Sequence, residues 1–338
     1  MILKYRSINL PFRYPFTISK ATKTHQPSLL VELEYFGIKG YGEAPAINYY
    51  NIPVEKMIED IETKRNLIEK FALTHPERYW HYLHHLFPQN PFLVCALDMA
   101  AWDVYGKMNK KQLHVLWNLD ISKNPLTDYT IGIGTIENMV AKMAEKSWPI
   151  YKIKLGTEND VEIITELRKH TSSVFRIDAN AAWMQDEALK KINVFKDLNV
   201  EFIEQPLAKD DWEGMKFLFE HSPLPLIADE SCVSENDVEK CHGYFHGINI
   251  KLTKCSGITP ALRMISKARE LNMKVMVGSM NESSVGTAAI AQLLPLIDYV
   301  DMDGPLLLAE DVADGVIFDF GKIIYNNLSG IGVSVEPF

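Results

Sequence analysis

Five ionisable residues recur through the second half of the chain at near-constant intervals. Lys154, Asp178, Glu204, Asp229 and Lys251 are separated by 24, 26, 25 and 22 residues. Each stands at or beside the end of a short apolar run, and one strand, one helix and two short loops need about that length. Three carboxylates brought together from adjacent strands repel one another unless a cation joins them, and an oxygen-only set favours Mg²⁺, with water or substrate completing the octahedron. Lysines flank the three acids in strand order. Lys152 and Lys154 are two apart and so share one strand face; neighbouring ammonium groups beside a cation are expected to depress each other's pKa and leave one usable as a base near neutrality. Lys251 approaches from the far side. Two opposed bases about a metal-bound carboxylate suit a 1,1-proton transfer, in which one removes an α-proton and the other reprotonates the opposite face.

A further acid pair, Asp301 and Asp303, lies in Val-Asp-Met-Asp-Gly-Pro-Leu (300–306), and strand alternation puts both on one face. Two more negative charges beside a bound carboxylate call for a cationic substrate group, for which the free α-ammonium of a dipeptide is the natural candidate.

The elements that must position these residues are short buried runs: Tyr129–Ile133, Tyr151–Leu155, Val174–Asp178, Glu201–Glu204, Leu226–Asp229, Gly247–Lys251, Lys274–Val277 and Tyr299–Asp301. Amphipathic helical stretches separate them, and helix starts are signalled at Thr157–Asp160 and Ser234–Asp237. Repeating βα units with non-alternating strands predict a parallel sheet, and eight of them predict a (β/α)₈ barrel whose C-terminal strand ends converge on one mouth. Upstream, the alternation Leu29–Val31–Leu33–Tyr35 predicts an antiparallel strand, Gly40–Tyr41–Gly42 a turn, and Pro53–Leu73 and Pro91–Leu119 helices. The predicted organisation is therefore an α/β chain. Residues 1–125 form an α+β capping domain and 126–318 the barrel, while 319–338 are a C-terminal segment expected to pack back on the cap.

Composition narrows the partners. With 338 residues, 47% hydrophobic, 23% charged and a net charge of −9, the chain lacks the basic balance that nucleic acid or an anionic membrane surface would attract. Charges interrupt Met1–Phe16, which does not read as a signal peptide, and no stretch is long and apolar enough to span a bilayer, so a cytoplasmic protein acting on a small molecule is expected. Assembly into a homo-oligomer is left open. Cys95, Cys232, Cys241 and Cys255 form no Cys-x-x-Cys pair and read as packing thiols. The pairs His81/His85 and His242/His246 are four apart but lack a third ligand.

Five strings together carry a family resemblance: Tyr-Lys-Ile-Lys-Leu-Gly (151–156), Asp-Ala-Asn (178–180), Phe-Ile-Glu-Gln-Pro-Leu (202–207), Ala-Asp-Glu-Ser (228–231) and Asn-Ile-Lys-Leu-Thr-Lys-Cys-Ser-Gly-Ile (249–258). They resemble the muconate lactonising subgroup of the enolase superfamily. The likeness extends into the cap, at Tyr-Gly-Glu-Ala-Pro (41–45) and Ala-Leu-Asp-Met-Ala-Ala-Trp-Asp (96–103). A lysine base beside Mg²⁺ is the general pattern of enolase-superfamily sites, so this much follows from the resemblance itself. It implies one Mg²⁺ per subunit on Asp178, Glu204 and Asp229, Lys154 and Lys251 as the acid/base pair, and Lys152 beside the substrate carboxylate. Asn180 and Glu230 fall where the family keeps groups supporting the metal ligands, while Thr130 and Ser279 resemble substrate-touching positions. The mandelate-racemase branch, with a histidine ending the seventh strand, is set aside because Val277–Gly278–Ser279–Met280 has none.

Within the subgroup the Asp-x-Asp of residues 301–303 resembles the dipeptide epimerases. The expected reaction is epimerisation at the C-terminal residue of an L-Ala-Xaa dipeptide, Xaa being Glu or apolar. The alternatives are an o-succinylbenzoate synthase or an N-succinylamino-acid racemase, and, outside catalysis, a silent binding barrel. In the family a cap loop covers the substrate side chain. Here it is residues 16–26, which offer Lys20 and Lys23 but no arginine.

Overall fold

The computed structural model describes residues 1–18 and 21–338. The cap is built on a long antiparallel hairpin. Strand β1 (Ile2–Ile18) pairs with β2 (Ala21–Tyr35) from Ile2↔Glu34 to Ile18↔Ala21, with an irregularity between Pro11 and Phe16, and β2 pairs in turn with β3 (Ile38–Pro45). Strand β2 buries both faces. Leu29, Val31 and Leu33 pack against helices α1 (Val54–Lys70), α2 (Pro76–Leu86) and α3 (Pro91–Met108), whereas Leu30 turns into the barrel core. The expected turn at Gly40–Tyr41–Gly42 lies instead inside β3. A Cβ on Gly40 or Gly42 would overlap the Ala100 or Ala96 carbonyl of α3, so these glycines permit close helix–strand approach. The chain reverses at Phe36–Gly37, where Gly37 has φ +77°.

The helical stretch expected over Pro91–Leu119 is two pieces. Asn90 caps α3 by accepting from the Leu93 N–H, Pro91 occupies its first turn, and the helix stops at Met108. Lys110, at φ 53°, diverts the chain before a short α4 (Leu113–Leu116).

Eight parallel strands follow: β4 (Tyr129–Ile131), β5 (Ile150–Lys154), β6 (Val174–Asp178), β7 (Val200–Glu204), β8 (Leu226–Ala228), β9 (Gly247–Ile250), β10 (Lys274–Gly278) and β11 (Tyr299–Asp301). They pair consecutively in chain order, and a bridge between Thr127 and Val300 joins the two ends, giving the predicted barrel. Helices alternate with the strands, and the Ser234 capping box is present. Below the mouth the lumen is filled. Phe202, Ile227 and Met276 are fully buried, and the Arg176 guanidinium, beside the Phe202 and Tyr299 rings, donates to Asp128 Oδ2 (2.9 Å), Glu201 Oε2 (2.8 Å) and the Val300 carbonyl (3.0 Å). Substrate chemistry is thereby confined to the C-terminal strand ends.

Buried acids of the cap hold the two regions in register. Asp98 accepts from the Thr259 N–H and hydroxyl at the start of a barrel helix, and Glu43 accepts from the N–H groups of Ser283 and Gly286 at the start of another. Carboxylates at helix N-termini satisfy orphan donors and complement the dipole. Near the C-terminus Ile331 N–H donates to Asp103, and the Phe338 ring stacks on Tyr41. Among the described residues no helix is long and apolar enough to cross a membrane, and the four cysteines are buried free thiols.

Candidate active site

Strand ends β5 to β9 deliver Lys154, Asp178, Glu204, Asp229 and Lys251 to one mouth. Side-chain oxygens of Asp178, Glu204 and Asp229 all lie within 4.8 Å of one another, and all three residues are buried. One oxygen of each faces an ammonium. Asp178 Oδ2 accepts from Lys154, Asp229 Oδ2 accepts from Lys251 at 2.7 Å, and Glu204 Oε2 lies 2.7 Å from Lys152 Nζ yet receives no well-aligned hydrogen bond. The other oxygens are tied to the protein: Asp178 Oδ1 to the Asn180 N–H (2.9 Å), Glu204 Oε1 to the Asn249 amide (2.7 Å) and Asp229 Oδ1 to Lys254 (2.6 Å).

Electrostatics divide the three acids. Burial opposes the charge on Asp229, but Lys251 and Lys254 pull it well below the usual carboxylate range. Asp178 is likewise lowered, Lys154 and Lys152 outweighing burial. Glu204 moves the other way, raised first by burial and then by Asp178. A buried acid oxygen without a well-aligned donor, among two like charges, fits a hard divalent cation. By donor chemistry the three residues therefore suit Mg²⁺.

The lysines differ from expectation in one respect. Lys152 is fully buried and burial alone would depress it, but Asp301 (2.7 Å), Glu204 and Asp178 hold it well above its ordinary value. Carboxylates, rather than its neighbour Lys154, set its charge state. Strands β5 and β9 are four apart in a sheet of eight, so Lys154 and Lys251 enter from opposite walls.

Asp301 ends β11, but Asp303 lies beyond the strand, at the N-cap of the short helix Gly304–Leu307. The strand alternation expected to align the pair does not reach it, and the two aspartates are unlike. Burial opposes the charge on Asp301, but Lys152 and Lys154 hold it down at about 2; Asp303 is pushed up to about 7 by burial and then by Asp301. Asp303 Oδ2 accepts from the Thr130 N–H at 2.6 Å, and the Asp301 carbonyl accepts from the Ser279 N–H at 2.8 Å. Thr130 and Ser279 are thus fastened beside the acid pair. Asn180 and Glu230 also adjoin the acid cluster. Asn180, at φ 45°, has a buried side-chain oxygen without a partner, as does Glu230, which burial and then Asp229 push up to about 7.

The described residues of segment 16–26 close β1 and open β2, fastened to the barrel where Thr17 O accepts from the Ile133 N–H at 2.9 Å. Lys23 is partly buried and donates to Gln26 Oε1 at 3.1 Å; burial and then Lys251 lower its pKa. Lys20 lies outside the described residues. In the histidine pairs, His85 Nδ1 meets the His81 carbonyl, and His246 Nδ1 accepts from the Leu226 N–H.

Four participants were missed in the sequence. Asn249 supports Glu204, and strand alternation with Lys251 could have placed it on the inner face. Lys254, one short turn beyond Lys251, grips Asp229 and the Cys232 carbonyl. Gln205 Oε1 accepts from the N–H groups of Asp229 and Ser231. Tyr50, from the cap, packs against Phe92 and has its hydroxyl raised by burial and then by the charge of Asp229. No local sequence pattern announces the last two.

Comparison with known proteins fits this geometry. The model for the mandelate racemase / muconate lactonizing enzyme N-terminal domain matches residues 3–117, and that for the enolase C-terminal domain-like region matches residues 135–337. An L-Ala-D/L-amino acid epimerase of Flavobacterium johnsoniae is 52% identical over 99% of this chain and 100% of its own. An L-Ala-D/L-Glu epimerase of Bacteroides thetaiotaomicron is 37% identical over 98% of this chain and 88% of its own. The crystal structure of a dipeptide epimerase from Enterococcus faecalis V583, complexed with Mg and L-Leu-L-Tyr, aligns with TM-score 0.93 and 28% identity over 98% of both chains.

Proposed function

The chain belongs to the mandelate racemase / muconate lactonizing enzyme family of the enolase superfamily, and from that premise we propose how its residues divide the work of a dipeptide epimerase. The activity is Mg²⁺-assisted epimerisation of dipeptides, and the substrate class in this reading is L-Ala-Xaa. The observation that carries the division of roles is the opposition of Lys154 and Lys251 across three buried carboxylates, with a separate acid pair at and just beyond the end of β11.

Asp178, Glu204 and Asp229 would hold Mg²⁺, which when bound supplies charge stabilisation to a substrate carboxylate as its α-proton leaves. Lys152 sits beside that carboxylate and steadies it. Lys154 takes the proton from one face when neutral, and Lys251 as an ammonium returns one to the other; the roles exchange for the opposite epimer. Asp301 and Asp303 receive the substrate α-ammonium, framed by Thr130 and Ser279, while Asn180 and Glu230 hold the acid cluster in shape. An N-succinylated substrate has no α-ammonium for Asp301 and Asp303, which disfavours the racemase alternative. A cytoplasmic setting belongs to the same reading.

Glu204→Gln keeps the side chain's shape and its Asn249 contact while removing a charge. It should stop turnover and weaken Mg²⁺ binding at least about tenfold. Unchanged Mg²⁺ affinity by calorimetry would take Glu204 out of the ligand set.

The pH profile tests Asp303. Its raised carboxyl is neutral below pH 7 and charged above, so ammonium recognition should improve as pH rises through about 7. Above about 8 the substrate amine itself deprotonates and kcat/KM should fall. Asp303→Asn should erase the acid limb and leave the alkaline one; an acid limb that persists would belong to another group.

A further inference from the structure

The three carboxylates facing the cation position share a constraint that their identity as ligands does not require. Each has one oxygen committed to a protein donor: Asp178 Oδ1 to a backbone N–H, Glu204 Oε1 to the Asn249 amide, Asp229 Oδ1 to the Lys254 ammonium. The remaining oxygen of each faces an ammonium at the mouth, that of Lys154 for Asp178, Lys152 for Glu204 and Lys251 for Asp229. Lys254 is the firmest of these ties. It is buried, and its ammonium also donates to the Asp229 and Cys232 carbonyls, so its donors are spent and the side chain is held in place.

A carboxylate with one oxygen so occupied can offer a metal only the other. Mg²⁺ takes six ligands in a near-ideal octahedron and accepts single oxygens, whereas Ca²⁺ takes six to eight, commonly with bidentate carboxylates. We infer that Lys254 and Asn249 are positioning residues for cation choice: by occupying the second oxygens of Asp229 and Glu204 they close the site to bidentate coordination and favour Mg²⁺ over Ca²⁺. This rests on the proposed ligand set, and the two can fail separately.

The test is calorimetric titration of the full chain, stripped by chelator and without substrate, with MgCl₂ and CaCl₂ in turn. Wild type, Lys254→Met and Asn249→Ala are compared, with folding checked by circular dichroism. The expected result is that the ratio of Ca²⁺ to Mg²⁺ affinity rises about tenfold or more in each variant. Loss of the Lys254 charge should strengthen binding of both cations, so the ratio is the reading that matters; Asn249→Ala removes a neutral donor and isolates the geometry. If Lys254→Met fails to fold, because two carbonyls lose their donor, Asn249→Ala decides alone. Affinities that shift in parallel, leaving the wild-type ratio, overturn the inference while the ligand set stands. A wild-type protein that binds neither cation overturns both.

Discussion

Lys251→Ala should abolish epimerisation while leaving α-proton exchange of one epimer intact. Lys251 lies on β9, four strands from Lys154, and each reaches its own acid of the cluster, Asp229 and Asp178 respectively. A substrate held between them presents one face to each. Without the Lys251 amine the proton that Lys154 removes can only be replaced from the same face, so deuterium enters without inversion. Loss of one acid/base partner lowers the rate of the inverting reaction by about 10²–10⁴-fold. Exchange followed by NMR in D₂O, with each epimer supplied separately, checks this. Equal exchange of both epimers by the variant would replace two bases with one.

The second large effect concerns Asp301 and Asp303. Replacing both with Asn keeps their size and removes the charges that an ammonium would meet. A buried charge deprived of its partner costs several kcal/mol, much of it from the charge left unpaired. At about 1.4 kcal/mol per tenfold, kcat/KM for a dipeptide should fall by about two or more orders of magnitude. Lys152 complicates the single variants, because Asp301 lies 2.7 Å from its ammonium. Asp301→Asn alone should therefore disturb the carboxylate end of the substrate as well, whereas Asp303→Asn should act on the ammonium end. Acetylating the dipeptide should harm the wild type to a similar degree, and the two losses should not add, since both remove one interaction.

The barrel was legible because its repeat is regular and its charged residues end buried strands; eight strands appear where eight apolar runs predicted them, displaced by a residue or two. The cap was less so. Gly40 and Gly42 look like turn residues in one dimension, and only their packing against α3 explains them as strand positions. Pro91–Leu119 carries apolar residues on both sides of the polar run Asn109–Gln112, but that pattern does not encode the left-handed step at Lys110 that divides the helix. In the site the reacting groups stood out by spacing, whereas the groups that steady them did not. Asn249 shares a strand face with Lys251 and could have been found. Lys254 lies beyond the strand, where period two no longer applies, and Tyr50 arrives from another part of the chain. Charge states were legible least of all. The lysine pair on β5 suggested mutual depression, but Lys152 is surrounded by four acids contributed by strands β6, β7 and β11 and the segment before β4.

The central claim is proton exchange at an α-carbon with inversion, and the measurement closest to it is solvent deuterium incorporation by the unaltered enzyme. An L-Ala-L-Xaa dipeptide is incubated with enzyme and Mg²⁺ in D₂O, and the product is separated by configuration and weighed. The account predicts that the epimer formed in the first turnover carries deuterium at the α-carbon of its second residue and none at the alanine. An inverted product without solvent deuterium, or faster turnover of the N-succinylated compound than of the free dipeptide, would contradict it.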